Sequence, residues 1–584
     1  MQTTESRLRA LGLVALTATA CNSVLGLGDY SIATKKPAAN AGGNAGGGAG
    51  GSNVQAGPPD GGGGATGDTG GGGSGGGSEG LPDGGAPDGS TVRQFDAAAP
   101  PECTTNRECT DRETAAAGKG ADGGVVAAVC VKPEGHCVRL LSEDCNAITG
   151  DYLDDRAILL GSLFSTKGAQ GATNLPRQNS ATLAVEEIDS AGGIPGATSA
   201  DSRPLVMVSC DESTLPLRAA GHLITDLHVP AIVGPNTSQD TLDISNKLSV
   251  RSGTVLISPT AVASSIPDLL DDGLTWLMVP SDVQRAPLMM SQINALETRL
   301  KDERSKTTVK LGVVYRDDAL GIGTRTSLNS LVLNGKALSD PLNLGTNVQI
   351  TPYDYTQTDQ AAIVSAYVTF APDIIVLAGT AEAVTKVMVP LEQAWTSAAR
   401  PEYVLIDSAK VPDVITATKG NDDLRRRIRG TGITPGPQSA PVYGAFKVDY
   451  LLRYPGTSAT ISGMGPSYDA TYAIAYALAA THALPASGEN IAAGLRKLSG
   501  GPTTLEMQGT KILAAFQKLA VGQNITAIGT FGPAEWDANG AVIGGTLEMW
   551  CIGATTPTPV FQSSGLTFDV KTQQYAGTYT QCAP

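Results

Sequence analysis

The sequence has few aromatic residues, 5% of its 584 positions, and only four histidines, His136, His222, His228 and His482. So few rings against 71 glycines mean that part of the chain cannot bury a core and must serve as spacer. No HExxH or GxxxxGK[ST] pattern occurs, GxSxG falls only around Ser74 and Ser78 inside the Gly-rich stretch and not after a strand, and no paired carboxylates fall at facing strand ends. The motif-bearing metalloproteases, serine hydrolases and phosphate-loop enzymes are thereby set aside, and the chain is read as no enzyme, without cofactor. Positive charge is also short: 41 basic residues against 56 acidic ones give a net charge of -15. Such a chain repels phosphate backbones, which excludes nucleic acid as a partner. The cysteines contain no CxxC pair, which argues against a zinc site and for no metal at all.

What is present starts with export. Arg7 and Arg9 precede an apolar run, Leu11 to Ala20, ending in Ala18-Thr19-Ala20-Cys21. This reads as a signal peptide with a small-residue cleavage site, too short to span a bilayer. A cysteine at that point resembles a bacterial lipobox, in which Cys21 is acylated and becomes the mature N-terminus. Residues 1–21 are therefore expected to be signal peptide and anchor, placing the protein in the periplasm or at the cell surface. Asn22, where an Asp would resemble an inner-membrane retention signal, favours the outer membrane. Residues 22–100 are dominated by Gly, Ala, Ser, Asp and Pro, a composition that cannot offset chain entropy by burial. They read as a flexible linker with an average reach of about 45 Å.

Residues 101–146 carry Cys103, Cys109, Cys130, Cys137 and Cys145 among polar and Gly-rich stretches. In an oxidising compartment so short a segment is expected to be stapled by disulfides rather than held by a core. Five is odd, so at least one cysteine must pair outside the segment, and Cys210 is the candidate. Cys551 and Cys582 would then close the C-terminal tail. Connectivity within the segment stays open.

After Cys145 the pattern becomes one of strand, loop and helix in alternation. Apolar runs at 157–161, 204–208, 231–235 and 254–259 are separated by helical periodicity, as through Leu183, Ala184, Val185 and Ile188 up to Gly192-Gly193. The pattern restarts at 309–315 after a helix expected from about Pro287 to Leu300, and continues at 373–379 and 403–407. Strands so uniformly apolar imply parallel sheets covered on both faces, and so two doubly wound α/β lobes. In such sheets the ligand crevice lies at the carboxyl ends of the strands. His222 and His228 read as solvated helix residues.

Five blocks then fall in order: Ala184 to Gly196, Val229 to Ser238, Leu256 to Ala261, Ser467-Tyr468-Asp469-Ala470 and Glu535 to Gly540. Together they resemble the type I periplasmic binding proteins of the branched-chain amino-acid (Leu/Ile/Val-binding) family of ABC transporters. The resemblance implies a three-stranded hinge, with residues 147–284 in lobe 1, 285–437 in lobe 2, 438–530 returning to lobe 1 and 531–584 crossing to lobe 2. It also implies a small-molecule ligand between the lobes and an ABC permease as partner, the binding protein itself being expected as a monomer. By that likeness Ser238 and the loop of Thr260 and Val262 hold a ligand carboxylate, while Asp407 meets an ammonium. Ser165, Asn236, Thr237, Ala261 and Thr380 complete the expected site. Ser238 could equally cap its helix, and Asp407 the turn after it.

Three positions depart from the family pattern. Val262 stands where a Thr hydroxyl is usual, and Thr380 and Leu320 stand where an aromatic often covers the ligand. With Gln239, Asn236 and Thr260 nearby, recognition is expected to rest on hydrogen bonds, with a larger amide, a peptide fragment or an organic acid as the ligand. A ligand-free structural or signalling interaction protein on the same fold is the alternative.

Overall fold

The computed structural model describes residues 101–118, 124–196, 201–482, 486–554 and 558–582. The expected signal peptide, Cys21 and the linker lie outside the described residues.

The cysteine-rich segment opens with helix α1 (Asn106–Ala116), started by a capping box in which Thr105 and Glu108 satisfy each other's backbone amides. Strands β1 (Ala128–Val131) and β2 (His136–Arg139) form an antiparallel hairpin behind it. Cys103–Cys130 and Cys109–Cys137 tie this helix and the stretch before it to the hairpin. The fifth cysteine, Cys145, does pair outside the segment, with Cys210, and Cys551 pairs with Cys582. Sulfur atoms of Cys103, Cys109 and Cys130 lie within 4.8 Å of one another, but all three are spent in disulfides and offer no thiolate to a metal. His222 is not solvated as the sequence suggests. Its ring is largely buried, with Nδ1 3.1 Å from the Asp226 carboxylate and Nε2 3.2 Å from the Leu140 carbonyl oxygen.

The first lobe is built on β3 (Cys145–Thr149), β4 (Ile158–Phe164), β5 (Leu205–Asp211), β6 (Ala231–Val233), β7 (Val255–Ser258) and β8 (Thr275–Leu277). Their order is β3-β5-β4-β6-β7-β8, parallel except for β3 at the edge. Every residue of β5, β6 and β7 is buried, which is why these strands lack an alternating pattern. Helix α2 (Gly171–Ser190) connects β4 to β5 and stops at Gly192 and Gly193, whose φ angles are +105° and +76°. A Cβ on Gly193 would lie 2.6 Å from the Arg203 carbonyl oxygen, so the turn needs glycine there. The short helix α3 (Ser238–Ile244) follows β6.

Helix α4 (Asp282–Glu303) leads into the second lobe. It starts five residues before the expected Pro287, because Gln284 Oε1 accepts from the Ser281 amide and begins the helix there; the proline falls inside it. Strand β9 (Leu311–Arg316), helix α5 (Ala319–Ser327), the small hairpin β10 (Val332–Leu333) and β11 (Lys336–Ala337), then β12 (Val348–Tyr353), β13 (Ile374–Ala378), β14 (Glu402–Leu405) and β15 (Ile428–Thr434) follow. The chain then returns through α6 (Ala440–Arg453), α7 (Met464–Thr481), β16 (Thr503–Glu506) and β17 (Ile525–Ile528). Phe446, Tyr468, Ile474 and Ile525 of this return share one apolar core with Leu160, Ala184 and Met207 of the first sheet. Finally β18 (Thr546–Gly553), β19 (Val560–Asp569) and β20 (Gln574–Ala576) add to the second sheet, whose order is β12-β9-β13-β14-β15-β18-β19-β20. The first five strands are parallel and the last three antiparallel.

Three segments thus cross between the lobes, and they lie together: Met278 to Pro280, Ile433 at the end of β15, and Gly529 to Thr546 line one narrow cavity. In open α/β sheets of this kind a ligand crevice forms at the carboxyl ends of the strands.

Candidate functional site

Of the expected residues, Ser165, Asn236, Thr237, Ser238, Thr260 and Ala261 follow β4, β6 and β7 and do converge at one edge of the first lobe. The Thr260 hydroxyl donates to the Asn236 carbonyl oxygen at 2.6 Å and lies 3.1 Å from Asn236 Oδ1. Ser165 Oγ and the Asn236 amide both donate to Glu212, at 3.2 and 3.1 Å. Glu212 is buried beneath this edge, and that burial, with Asp240 nearby, raises its carboxyl well above the usual range.

Thr237, not Ser238, caps α3: its hydroxyl accepts from the Asp240 amide at 3.0 Å. Ser238 is buried in the first turn, where its oxygen accepts from the amides of Val262 and Ala263 at 3.1 and 3.2 Å. Ser258 likewise takes the Ala261 amide at 3.0 Å. The loop amides of Ala261, Val262 and Ala263 are therefore engaged within the lobe, Val262 among them being one expected to hold a ligand carboxylate. Val262 packs in the same buried cluster as Leu320 and Met289, and the Asp282 amide donates to its carbonyl at 2.7 Å. An apolar residue at 262 and at 320 thus follows from their role in packing beside the hinge.

On the second lobe, Thr380 follows β13 and its amide donates to Glu382 at 2.9 Å. Its hydroxyl also bonds Glu382, and Gln170 Nε2 of the first lobe reaches the same hydroxyl at 3.4 Å. That contact brings the two lobe edges together. Glu382 further accepts from Tyr353 at 3.0 Å and lies 3.5 Å from Arg316, whose guanidinium also pairs with Asp318. Asp407 is apart from this group: it follows β14 and forms an ion pair with Arg285 of α4, their side chains 11% and 4% exposed. Next to that pair a cavity with room for about one water collects Asp282, Thr324 and Thr431.

Sequence reasoning missed Arg177. It lies in α2, a helix whose apolar periodicity drew attention away from its charged positions. Nε donates to the Ser462 carbonyl at 2.7 Å, and Nη1 to Asn174 Oδ1 and Asn236 Oδ1 at 2.8 and 3.1 Å. Burial lowers its guanidinium to about 10, and Asp407 across the cleft partly offsets that loss. Gln170, Asn174 and Glu212 were missed too, since polar residues without a motif carry no signal of their own. A groove of about 480 Å³ lies elsewhere, between the helices at 361–370 and 389–394, and holds none of the expected residues.

Comparison with known proteins agrees with this architecture. The family described as receptor family ligand binding region matches residues 176–553. Among solved structures, a solute-binding protein of an ABC transporter from Rhodopseudomonas palustris BisB5, in complex with 3,4-dihydroxybenzoic acid, is 13% identical at a TM-score of 0.50, covering 71% of this chain and 98% of its own. The branched-chain amino acid transporter substrate-binding protein of Streptococcus pneumoniae, in complex with isoleucine, is 18% identical at a TM-score of 0.49, covering 70% and 99%. No curated protein matches the sequence. At these identities the likeness is one of fold. With a family match over more than half its length, the chain belongs to the receptor family of ligand-binding regions, on the type I periplasmic binding protein fold.

Proposed function

We propose that this chain is an extracytoplasmic solute-binding lipoprotein, a non-enzyme that captures a small polar ligand, an amino acid or a related compound, between its lobes. The observation that carries the reading is the meeting of the two strand-end edges at Gln170 and Thr380, with Ser165, Asn236, Thr260 and Arg177 gathered behind that contact. Polar groups converging between two lobes fit closure on a small molecule rather than a static surface. The similar R. palustris protein holds 3,4-dihydroxybenzoic acid, a molecule of that size. Delivery to an ABC permease, or sensing, would use the closed form. Anchoring through Cys21 in the outer membrane, with residues 22–100 as a tether and the protein acting as a monomer, completes the proposal.

A thermal-shift screen of the full chain against amino acids, small peptides and organic acids tests it. A ligand at a hundred times its Kd should stabilise the protein by about 2.7 kcal/mol. No shift with any compound would sink the solute-binding reading and leave a ligand-free interaction protein. For the anchor, labelled palmitate should enter the wild-type protein and be absent from Cys21→Ser.

A further inference from the structure

Arg177 is a guanidinium largely buried at the cleft with no acid of its own. Its three acceptors, the Ser462 carbonyl and the amide oxygens of Asn174 and Asn236, are all neutral. Among the described residues no carboxylate lies within ion-pair distance of it. The charge that does act on it is Asp407 across the cleft, and Asp407 is already paired with Arg285. Removing an arginine from water without a counter-ion is costly, and neutral oxygens only partly repay it. Among the described residues its Nη2 makes no hydrogen bond, and it is not one of the unpartnered polar atoms sealed from solvent. One donor of the fork is therefore left for something that enters the cleft.

Five acids near the same cleft are committed. Asp407 is held by Arg285, and Asp318 and Glu382 share Arg316. Glu212 and Asp240 are pushed toward their neutral forms, by burial first, and each already accepts from neighbours at Ser165 and Thr237. None of these five carboxylates is left to receive an ammonium group, and the loop amides of Ala261, Val262 and Ala263 are taken by Ser258 and Ser238. Among these residues the cleft thus offers a cation with no acid of its own, while each acid already has its partner.

We infer that the ligand is an organic acid without an ammonium group, its carboxylate held by Arg177 with the Thr260 and Asn236 side chains beside it. This rests on the solute-binding reading and narrows it. A guanidinium pairs with a carboxylate through charge-assisted hydrogen bonds, and loss of the negative charge would strand the arginine again. Thr260 is a neighbour of that arginine: Thr260 Oγ1 and Arg177 Nη1 each lie 3.1 Å from Asn236 Oδ1. Arg177, Asn236 and Thr260 therefore form one polar group.

The test uses matched probes on the full chain by calorimetry. Leucine, 4-methylpentanoate and 4-methylpentanamide share a side chain and differ only in ammonium and carboxylate; benzoate and benzamide form a second pair. The expected result is that at least one carboxylate binds and its amide binds about a hundredfold more weakly, the scale of a lost charged hydrogen-bond partner. Arg177→Gln should lose about the same factor for the acid, while Arg177→Lys, which keeps the charge, should recover part of it. Melting curves without probe show whether each variant folds, and the acid-to-amide ratio on the wild-type protein stands even if Arg177→Gln does not. Leucine binding more tightly than 4-methylpentanoate, or an acid binding as well as its amide, overturns this inference while the solute-binding reading survives. Binding of amino acids, peptides or neutral solutes with none of the carboxylates does the same, whereas silence across the whole screen overturns both.

Discussion

Asp407, at the carboxyl end of β14, forms an ion pair with Arg285 of α4, and both side chains are nearly sealed from solvent. Arg285 also donates through Nε to the Pro280 carbonyl in the segment that enters the second lobe. The pair therefore fastens the start of α4 to the strand ends beneath it. Removing one member leaves a buried charge without its partner, which costs about 3–5 kcal/mol. Arg285→Met and Asp407→Ala should each lower the urea midpoint by an amount on that scale, and the double variant should lose less than the two together. Additive losses in that double-mutant cycle would show that the pair contributes no coupling.

Asp282, one turn before Arg285, has its carboxyl raised to about 8, by burial first and by Asp407 as well, with Arg285 acting the other way. Its Oδ2 has no hydrogen-bond partner, while Oδ1 accepts from Thr324 at 3.2 Å. A raised carboxyl means that the folded protein holds a proton which the unfolded chain has already released. Stability from this group is greatest below the ordinary Asp range, falls as pH rises toward about 8, and is level above it. Each pH unit in that window costs about 1.4 kcal/mol per proton. Asp469 and Asp189 are also raised, to about 7 and about 6, so Asp282→Asn should make the decline of the urea midpoint shallower without abolishing it. An identical slope in wild type and variant, measured from about pH 5 to about pH 9, would count against the buried acid.

The blocks that carry the family resemblance turn out to hold the fold together. Glu187, in the first block, accepts from Tyr468 of the fourth at 2.6 Å and from Tyr472 one turn on, joining α2 to α7. Asp469 of the same block accepts the Thr530 amide and hydroxyl at 2.8 and 2.7 Å, tying α7 to a crossing segment. Trp536 donates to the Leu277 carbonyl at 2.7 Å and meets Trp276 edge to face. These residues were legible because core and hinge contacts demand particular side chains at fixed spacings. The cleft was less so. Arg177 sits on a helix with no motif, and whether Ser238 faces a ligand or its own loop depends on contacts to Val262 and Ala263 that no spacing encodes. The antiparallel edge of β18 to β20 was also not evident, since β18 is as buried as the parallel strands.

Tyr468→Phe tests the first of these ties. It removes one hydroxyl donor and leaves the partly buried Glu187 with Tyr472 alone. Deleting one partner of such a bond costs about 1–3 kcal/mol. The variant should unfold at correspondingly lower urea, with an unchanged m-value because the ring keeps its packing against Phe446. A midpoint equal to wild type would mean that Tyr472 satisfies the carboxylate alone.

Cys145 and Cys210 face each other in register across β3 and β5, and their bond covalently joins the end of the cysteine-rich segment to the first lobe's sheet. It spans 65 residues, so in the chain-entropy picture it stabilises by about 4 kcal/mol, because the unfolded chain is barred from opening that loop. The Cys145→Ala/Cys210→Ala double variant should lose an amount of that order in chemical unfolding. Its other bonds, Cys103–Cys130 and Cys109–Cys137, close within the segment and do not depend on β5. Mass mapping of the double variant should therefore still find both pairs intact. Scrambled pairing there would mean that docking on β5, through Cys210 and the Arg218–Asp144 contact at 2.6 Å, is what sets the segment's own fold.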